Sequence, residues 1–258
     1  MSQRPFRFGV VAAWARSGEE WAEKARRVES LGYATLVVPD NVEHTLAAFP
    51  ALTWAAAATR TLRVGTYVLD NDYRNPVMVA KDAATLDLLS GGRFELGLGA
   101  GRPSAERDNR MLGIPFDTGG VRVARLAESL ALIRALLAGE RTNAPGPHYA
   151  AADAAVSPGP ARRPPLMVAG SGRRLLALAG READIVALGL PPDATEAAAA
   201  EKVGWLREAA GGRFADLELN VNLVAVGGRV VRYLAQSGVE AAALDRGGAV
   251  AALAGTTD

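Results

Sequence analysis

The chain has 258 residues, 49% of them hydrophobic, with 29 basic against 28 acidic side chains and a net charge of +1. That length and apolar content suit one large α/β domain, and no basic stripe interleaved with aromatics offers itself to nucleic acid. The lack of cysteine excludes disulfides, thiolate catalysis and cysteine metal sites, and no apolar run reaches membrane-spanning length.

Residues 1–8 are polar and basic without an apolar signal core, so the expected compartment is the cytoplasm. Residues 6–13 read as a buried first strand. Ser17 and Glu20 have the spacing of a capping box, and Trp21, Ala25, Val28 and Leu31 follow at helical intervals. A second strand over 34–39 ends at Asp40 and Asn41. The pattern then predicts a helix over 50–59, a strand over 62–69, a polar loop over 70–75 and a helix over 76–89 opened by Pro76. Strand four, 94–98, leads into a loop over 99–120 rich in glycine, proline and charge. Val123, Leu126, Leu130, Ile133 and Leu137 mark the clearest helix. A second irregular insertion spans 139–165. Strands over 166–169, 184–188 and 217–226 then alternate with helices over 173–180, 194–210 and from 230, and beyond Gly238 the pattern dissolves. Short apolar strands alternating with helices define a covered parallel sheet and favour a (β/α) barrel.

Gly97, Gly99 and Gly101 alternate at the end of strand four. A dinucleotide fingerprint fails there, because Arg102 and Pro103 occupy the positions where a third glycine and a helix start are needed. Val168-Ala169-Gly170-Ser171-Gly172-Arg173 reads as strand, turn and helix, which suits a phosphate or is an ordinary βα turn. Asp40 and Asn41 sit where barrel enzymes keep working groups, or serve a turn. Asp70, Asp72 and Tyr73 form an acid/base pair with a neighbouring phenol, or a solvated loop. Arg102, Glu106, Arg107 and Asp108 read as a charged lid in which Arg102 binds an anionic substrate or pairs with Glu106. His44 and His148 lack the spacing of a zinc site, and His148 reads as plain surface.

Several segments together resemble the bacterial-luciferase-like monooxygenase superfamily, in particular its members that use the deazaflavin coenzyme F420. They are Val38-Pro39-Asp40, residues 62–69, Arg74-Asn75-Pro76, residues 89–93 with 97–101, residues 112–116, and Ala169-Gly170-Ser171-Gly172, in order over most of the chain. The resemblance implies a single (β/α)8 TIM-barrel domain over 1–258, generally dimeric, with insertions at about 99–120 and 139–165. Residues 252–258 resemble the segment before the family's last helix and eighth strand, so the chain reads as lacking those elements.

By the same resemblance, Gly170, Ser171 and Gly172 hold the cofactor phosphate and Asp40 approaches the ring. Tyr67-Val68, leading to Leu69, forms a non-proline cis bulge behind the ring, and Gly99, Ala100 and Gly101 form its floor. Asp40 and Asn41 are the catalytic candidates, and Arg102 faces the substrate. Many deazaflavin-dependent relatives carry histidine where Asn41 stands, and some sugar-phosphate-oxidising relatives carry glutamate where Arg102 stands. Asparagine cannot transfer a proton near neutral pH. The implied function is F420-dependent hydride transfer with a small organic substrate, in a homodimer without membrane or nucleic-acid partners. The alternatives are an FMN-dependent monooxygenase and a non-catalytic flavin-binding homologue.

Overall fold

Parallel strands buried on both faces build the first of two units, which divide after Met167. The structure, a computed structural model, describes residues 5–236 and 238–253; the last residues of the tail singled out above, 254–258, lie outside them.

The first unit alternates β1 (Gly9–Val11), α1 (Gly18–Ser30), β2 (Thr35–Val38), α2 (Ala48–Ala58), β3 (Arg63–Thr66), β4 (Leu69–Asp70), α3 (Pro76–Leu89) and β5 (Phe94–Gly99). Strands β1, β2, β3 and β5 pair in parallel, in register through Val10, Leu36, Val64 and Phe94. Every residue of β2 and β5 is buried, the signature of a sheet covered on both sides. Each fully buried leucine there, such as Leu36 or Leu96, contributes about 2 kcal/mol by area.

Local chemistry sets the helix ends. Ser17 Oγ accepts the Glu20 amide at 3.1 Å, while the Glu20 carboxylate accepts from the Arg16 amide at 3.0 Å, one residue earlier than a capping box expects. Trp21 Nε1 donates to Ala51 O at 2.7 Å and ties α1 to α2. Asn75 caps α3 through the Val77 amide at 2.9 Å, directly before Pro76.

The segment expected as strand 62–69 breaks in two at Tyr67–Val68, whose peptide bond is cis. Gly97 makes room for this break. A Cβ at 97 would overlap the Thr66 carbonyl oxygen and lie 2.8 Å from Val68 Cγ1. Thr66 Oγ1 in turn donates to Gly97 O at 2.8 Å and accepts from Gly97 N at 2.7 Å.

The loop expected over 99–120 is largely helical. A 3₁₀ turn, Pro103–Ala105, runs into α4 (Glu106–Leu112), and α5 (Gly119–Leu137) follows. The insertion at 139–165 contains an antiparallel hairpin, β6 (Thr142–Pro145) with β7 (Ala150–Ala154).

The chain enters the second unit within β8 (Leu166–Gly170). Next come α6 (Arg173–Glu182), β9 (Ile185–Leu188), α7 (Glu196–Ala210) and β10 (Glu218–Val221), with β9 and β10 parallel. The expected strand 217–226 ends at Val221. A small module follows: β11 (Ala225–Val226), β12 (Arg229–Val230), α8 (Arg232–Gln236), α9 (Ala241–Arg246) and β13 (Ala252–Leu253). β11 pairs with both other strands, over a core of Val224, Ala225, Leu234, Leu244, Ala249 and Ala251. Residues 239–253, where the sequence pattern dissolves, thus carry a helix and a strand of this module.

Candidate active site

In the first unit the ends of β2, β4 and β5 converge on a network of side chains. The Asp40 carboxylate, 6% exposed, accepts from Arg74 at 2.5 and 3.0 Å and from the Asp70 amide at 3.1 Å. This two-pronged guanidinium pair fixes the carboxylate geometrically as well as electrostatically. Asp40 is thus fully engaged. Beside it, Arg102 Nη2 donates to Asn41 Oδ1 at 2.7 Å, so Arg102 pairs with Asn41 and not with Glu106. The Asn41 amide donates to Thr45 Oγ1 at 3.2 Å.

Asp70 ends β4. Its Oδ1 accepts the Asp72 amide at 3.0 Å, and an ideal Cβ on Gly101 would lie 3.0 Å from its Oδ2. Burial, aided by the charges of Asp72 and Asp40, pushes the Asp70 carboxyl up to about 6 against the Asp72 amide bond and the pull of Arg122. Asp72 is different: its carboxylate, 3% exposed, lies 2.8 Å from Arg125. The cluster at 70–73 is therefore a buried charged turn, and the solvated-loop expectation is corrected. Burial also raises the Tyr67 phenol to about 12. The Tyr73 phenol rises through burial and the neighbouring Asp70, Asp108 and Asp40 carboxylates.

Arg122, not singled out in the sequence, and Asp108, read there as part of a charged lid, complete this network. Arg122, buried on α5, donates to Ala100 O at 2.8 Å, Gly101 O at 3.4 Å and Asp117 O at 2.6 Å, with its guanidinium 3.9 Å from the Phe116 ring centroid. It clamps the end of β5. Asp108, also buried, accepts from the Val42 amide at 3.3 Å and the Tyr73 hydroxyl at 3.5 Å. The sequence did hold a signal for Arg122, which falls on the apolar stripe of α5 with Leu126, Leu130 and Ile133. A cation there must be satisfied by other groups.

A cavity of about 360 Å³ opens beside the network, lined in part by Tyr73, Arg74, Arg125, His148 and Tyr149. His148 is thus half-buried against a cavity and is not plain surface; its backbone amide donates to Glu128 Oε2 at 3.1 Å. Tyr149 Oη accepts from Asn71 Nδ2 at 2.9 Å.

In the second unit, Gly170, Ser171 and Gly172 lead into α6. The helix begins with no side-chain cap, and a Cβ on Gly172 would meet open space. An α-helix leaves its first amides without internal partners, so this end has donors for an anionic oxygen. A Cβ on Gly170 would overlap Leu175 Cδ2 and lie 2.6 Å from its Cγ, so a side chain there would have to displace Leu175 of α6. Lys202 Nζ donates to Ser171 O at 2.9 Å, and Arg173 pairs with Glu208 at 3.0 Å.

A family described as luciferase-like monooxygenase matches residues 6–229, and the chain belongs to it. It is 40% identical over 164 residues to an F420-dependent glucose-6-phosphate dehydrogenase of Beutenbergia cavernae, covering 60% of this chain and 48% of that protein. A protein of the same name from Intrasporangium calvum is 34% identical over 188 residues, 68% of this chain and 56% of its own. The chain spans about half the length of the curated relatives it matches. A solved coenzyme F420-dependent tetrahydromethanopterin reductase from Methanopyrus kandleri aligns with a TM-score of 0.75 at 20% identity, over 85% of this chain and 66% of that one. This likeness establishes the fold, an α/β fold of the luciferase-like barrel type with an incomplete barrel.

Proposed function

We propose that this protein exchanges hydride between coenzyme F420 and a small organic substrate. The observation that carries the reading is the donor set at the start of α6, where amides without a side-chain cap follow the Gly170-Ser171-Gly172 turn. Taken by itself, that turn suits the phosphate of the coenzyme. Relatives that share up to 40% identity and are named for F420 support it.

The deazaflavin, when bound, supplies the hydride-donating and hydride-accepting chemistry. In the first unit, Tyr67, Val68 and Leu69 border the ring and Gly99, Ala100 and Gly101 form its floor, the latter held by Arg122 through the Ala100 and Gly101 carbonyls. Asp40, locked by Arg74, orients its surroundings. Arg102, held by Asn41, presents a cation to the substrate. That cation, where some sugar-phosphate-oxidising members carry glutamate, points to a substrate other than glucose 6-phosphate. Trp54 on α2 and Met78, Leu88 and Leu89 on α3 are exposed apolar side chains that support a homodimer. No helix among the described residues is long and apolar enough to cross a membrane.

Titration of the purified protein with F420 and, separately, with FMN tests the reading. Saturable binding of F420 followed by its absorbance is expected. Binding of FMN alone would favour oxygenase chemistry, and binding of neither would overturn a flavin-dependent role.

A further inference from the structure

Asn41, whose Oδ1 accepts from Arg102, cannot transfer a proton near neutral pH, and Asp40 is saturated by Arg74 and the Asp70 amide. Hydride chemistry on an alcohol or carbonyl still needs one proton moved. We propose that Asp70 is the catalytic residue that exchanges this proton, through Oδ2. The inference rests on the hydride-transfer reading and adds to it the identity of the acid/base.

The geometry separates the two oxygens of Asp70. Oδ1 is held by the Asp72 amide at 3.0 Å and anchors the 3₁₀ turn Asn71–Tyr73. Oδ2 has no hydrogen-bond partner among the described residues and faces Gly101, on the floor proposed for the ring. Arg122, the cation whose charge pulls on Asp70, is committed to the Ala100, Gly101 and Asp117 carbonyls. The other charged groups around Asp70 are likewise engaged: Asp40 with Arg74, Asp72 and Asp117 with Arg125, and Asp108 with Tyr73 and Val42. One carboxylate oxygen at the floor is left over.

The step balances. When an alcohol carbon gives up its hydrogen with the bonding electron pair to a hydride acceptor of the deazaflavin class, its O–H bond breaks. The O–H electrons form the carbonyl π bond, and the proton passes to Asp70 Oδ2. Carbonyl reduction runs the same exchange backwards, with Asp70 as the acid. A carboxyl that titrates near 6, where burial and the Asp72 and Asp40 charges place this one, exists in both states at working pH.

Asp70→Asn keeps an oxygen for the Asp72 amide and removes the exchangeable proton, so it separates anchoring from acid/base work. The first measurement is a carboxyl titration of the cofactor-free protein by infrared difference spectroscopy. Burial also raises Asp87 to about 6, so D70N is expected to show one carboxyl fewer titrating there than the wild type. The second is turnover with F420 and a panel of small alcohols and carbonyls. Here D70N should retain the F420 dissociation constant, lose about 100-fold or more in kcat, and lose the limb of the pH profile near 6. Asp70→Gly should regain part of its rate with added formate. D70N turnover within threefold of wild type, or an unchanged carboxyl titration, would overturn the proposal while leaving F420 binding intact. Wild-type protein that binds no F420 would overturn both readings together.

Discussion

The strand ends of the first unit and the Gly170–Gly172 turn of the second hold their atoms in opposite ways. At the strand ends, charged side chains fix one another: Arg74 on Asp40, Arg125 on Asp72, Arg122 on the Ala100 and Gly101 carbonyls. At the turn no side chain caps the helix, and the backbone alone presents donors. A network of buried charges punishes the loss of one member, because the survivor stays buried without its partner. A backbone turn is indifferent to charge and sensitive to volume. The two regions should therefore fail by different mutations.

The largest effect is expected at the first. Arg74→Ala leaves Asp40, 6% exposed, without its guanidinium and should destabilise the fold by about 3 kcal/mol in urea unfolding. Asp40→Asn should lose less, about 1–2 kcal/mol, because Arg74 is 29% exposed and reaches water. Equal losses would show that burial of the carboxylate is not the source. Asp70 should behave in the reverse sense. Its carboxyl lies above the unfolded value of 3.8 because burial, then Asp72 and Asp40, disfavour its charge. Its ionisation thus weakens the fold as pH rises from about 4 through about 6. Asp70→Asn should gain about 2 kcal/mol at pH 8 and nothing at pH 4, read from urea midpoints at the two pH values.

Legibility in the sequence divides along similar lines. Helix α3, Pro76–Leu89, was readable because Asn75-Pro76 starts it and Gly91-Gly92 follows it. Helix α4 was not, because its buried positions include Asp108 and Asn109, so no apolar period marks it. The module after β10 rests on scattered alanines with Val224, Leu234 and Leu244, too sparse for a periodic signal. Backbone features of the site were visible as glycine spacing: Gly97 leaves room for the strand break, and Gly170 for Leu175. The charge network was not. Asp40 and Arg74 are 34 positions apart, and only the fold brings them together.

The second region is tested by volume. Gly170→Ala should destabilise by about 1–2 kcal/mol, since its Cβ overlaps Leu175. Leu175→Ala in the same chain should recover part of that loss, a coupling visible in a double-mutant cycle.

The smallest change in stability, and the sharpest reading of the turn, is expected at Gly172. Its φ of −82° is open to any residue, and nothing lies within 4 Å of its Cβ position. Gly172→Ala and Gly172→Pro should therefore both stay within about 0.5 kcal/mol of the parent. They differ at the amide nitrogen, where proline puts a ring carbon in place of the hydrogen. Alanine keeps the amide N–H at 172 and proline removes it, so equal affinity in the two would show that this donor is not used. If the coenzyme phosphate accepts from that amide, proline should weaken F420 binding about tenfold while alanine leaves it unchanged, as one hydrogen bond to a charged group is worth about 1.5 kcal/mol. Equal affinity in both would take the phosphate off the 172 amide and leave the turn with a packing role only.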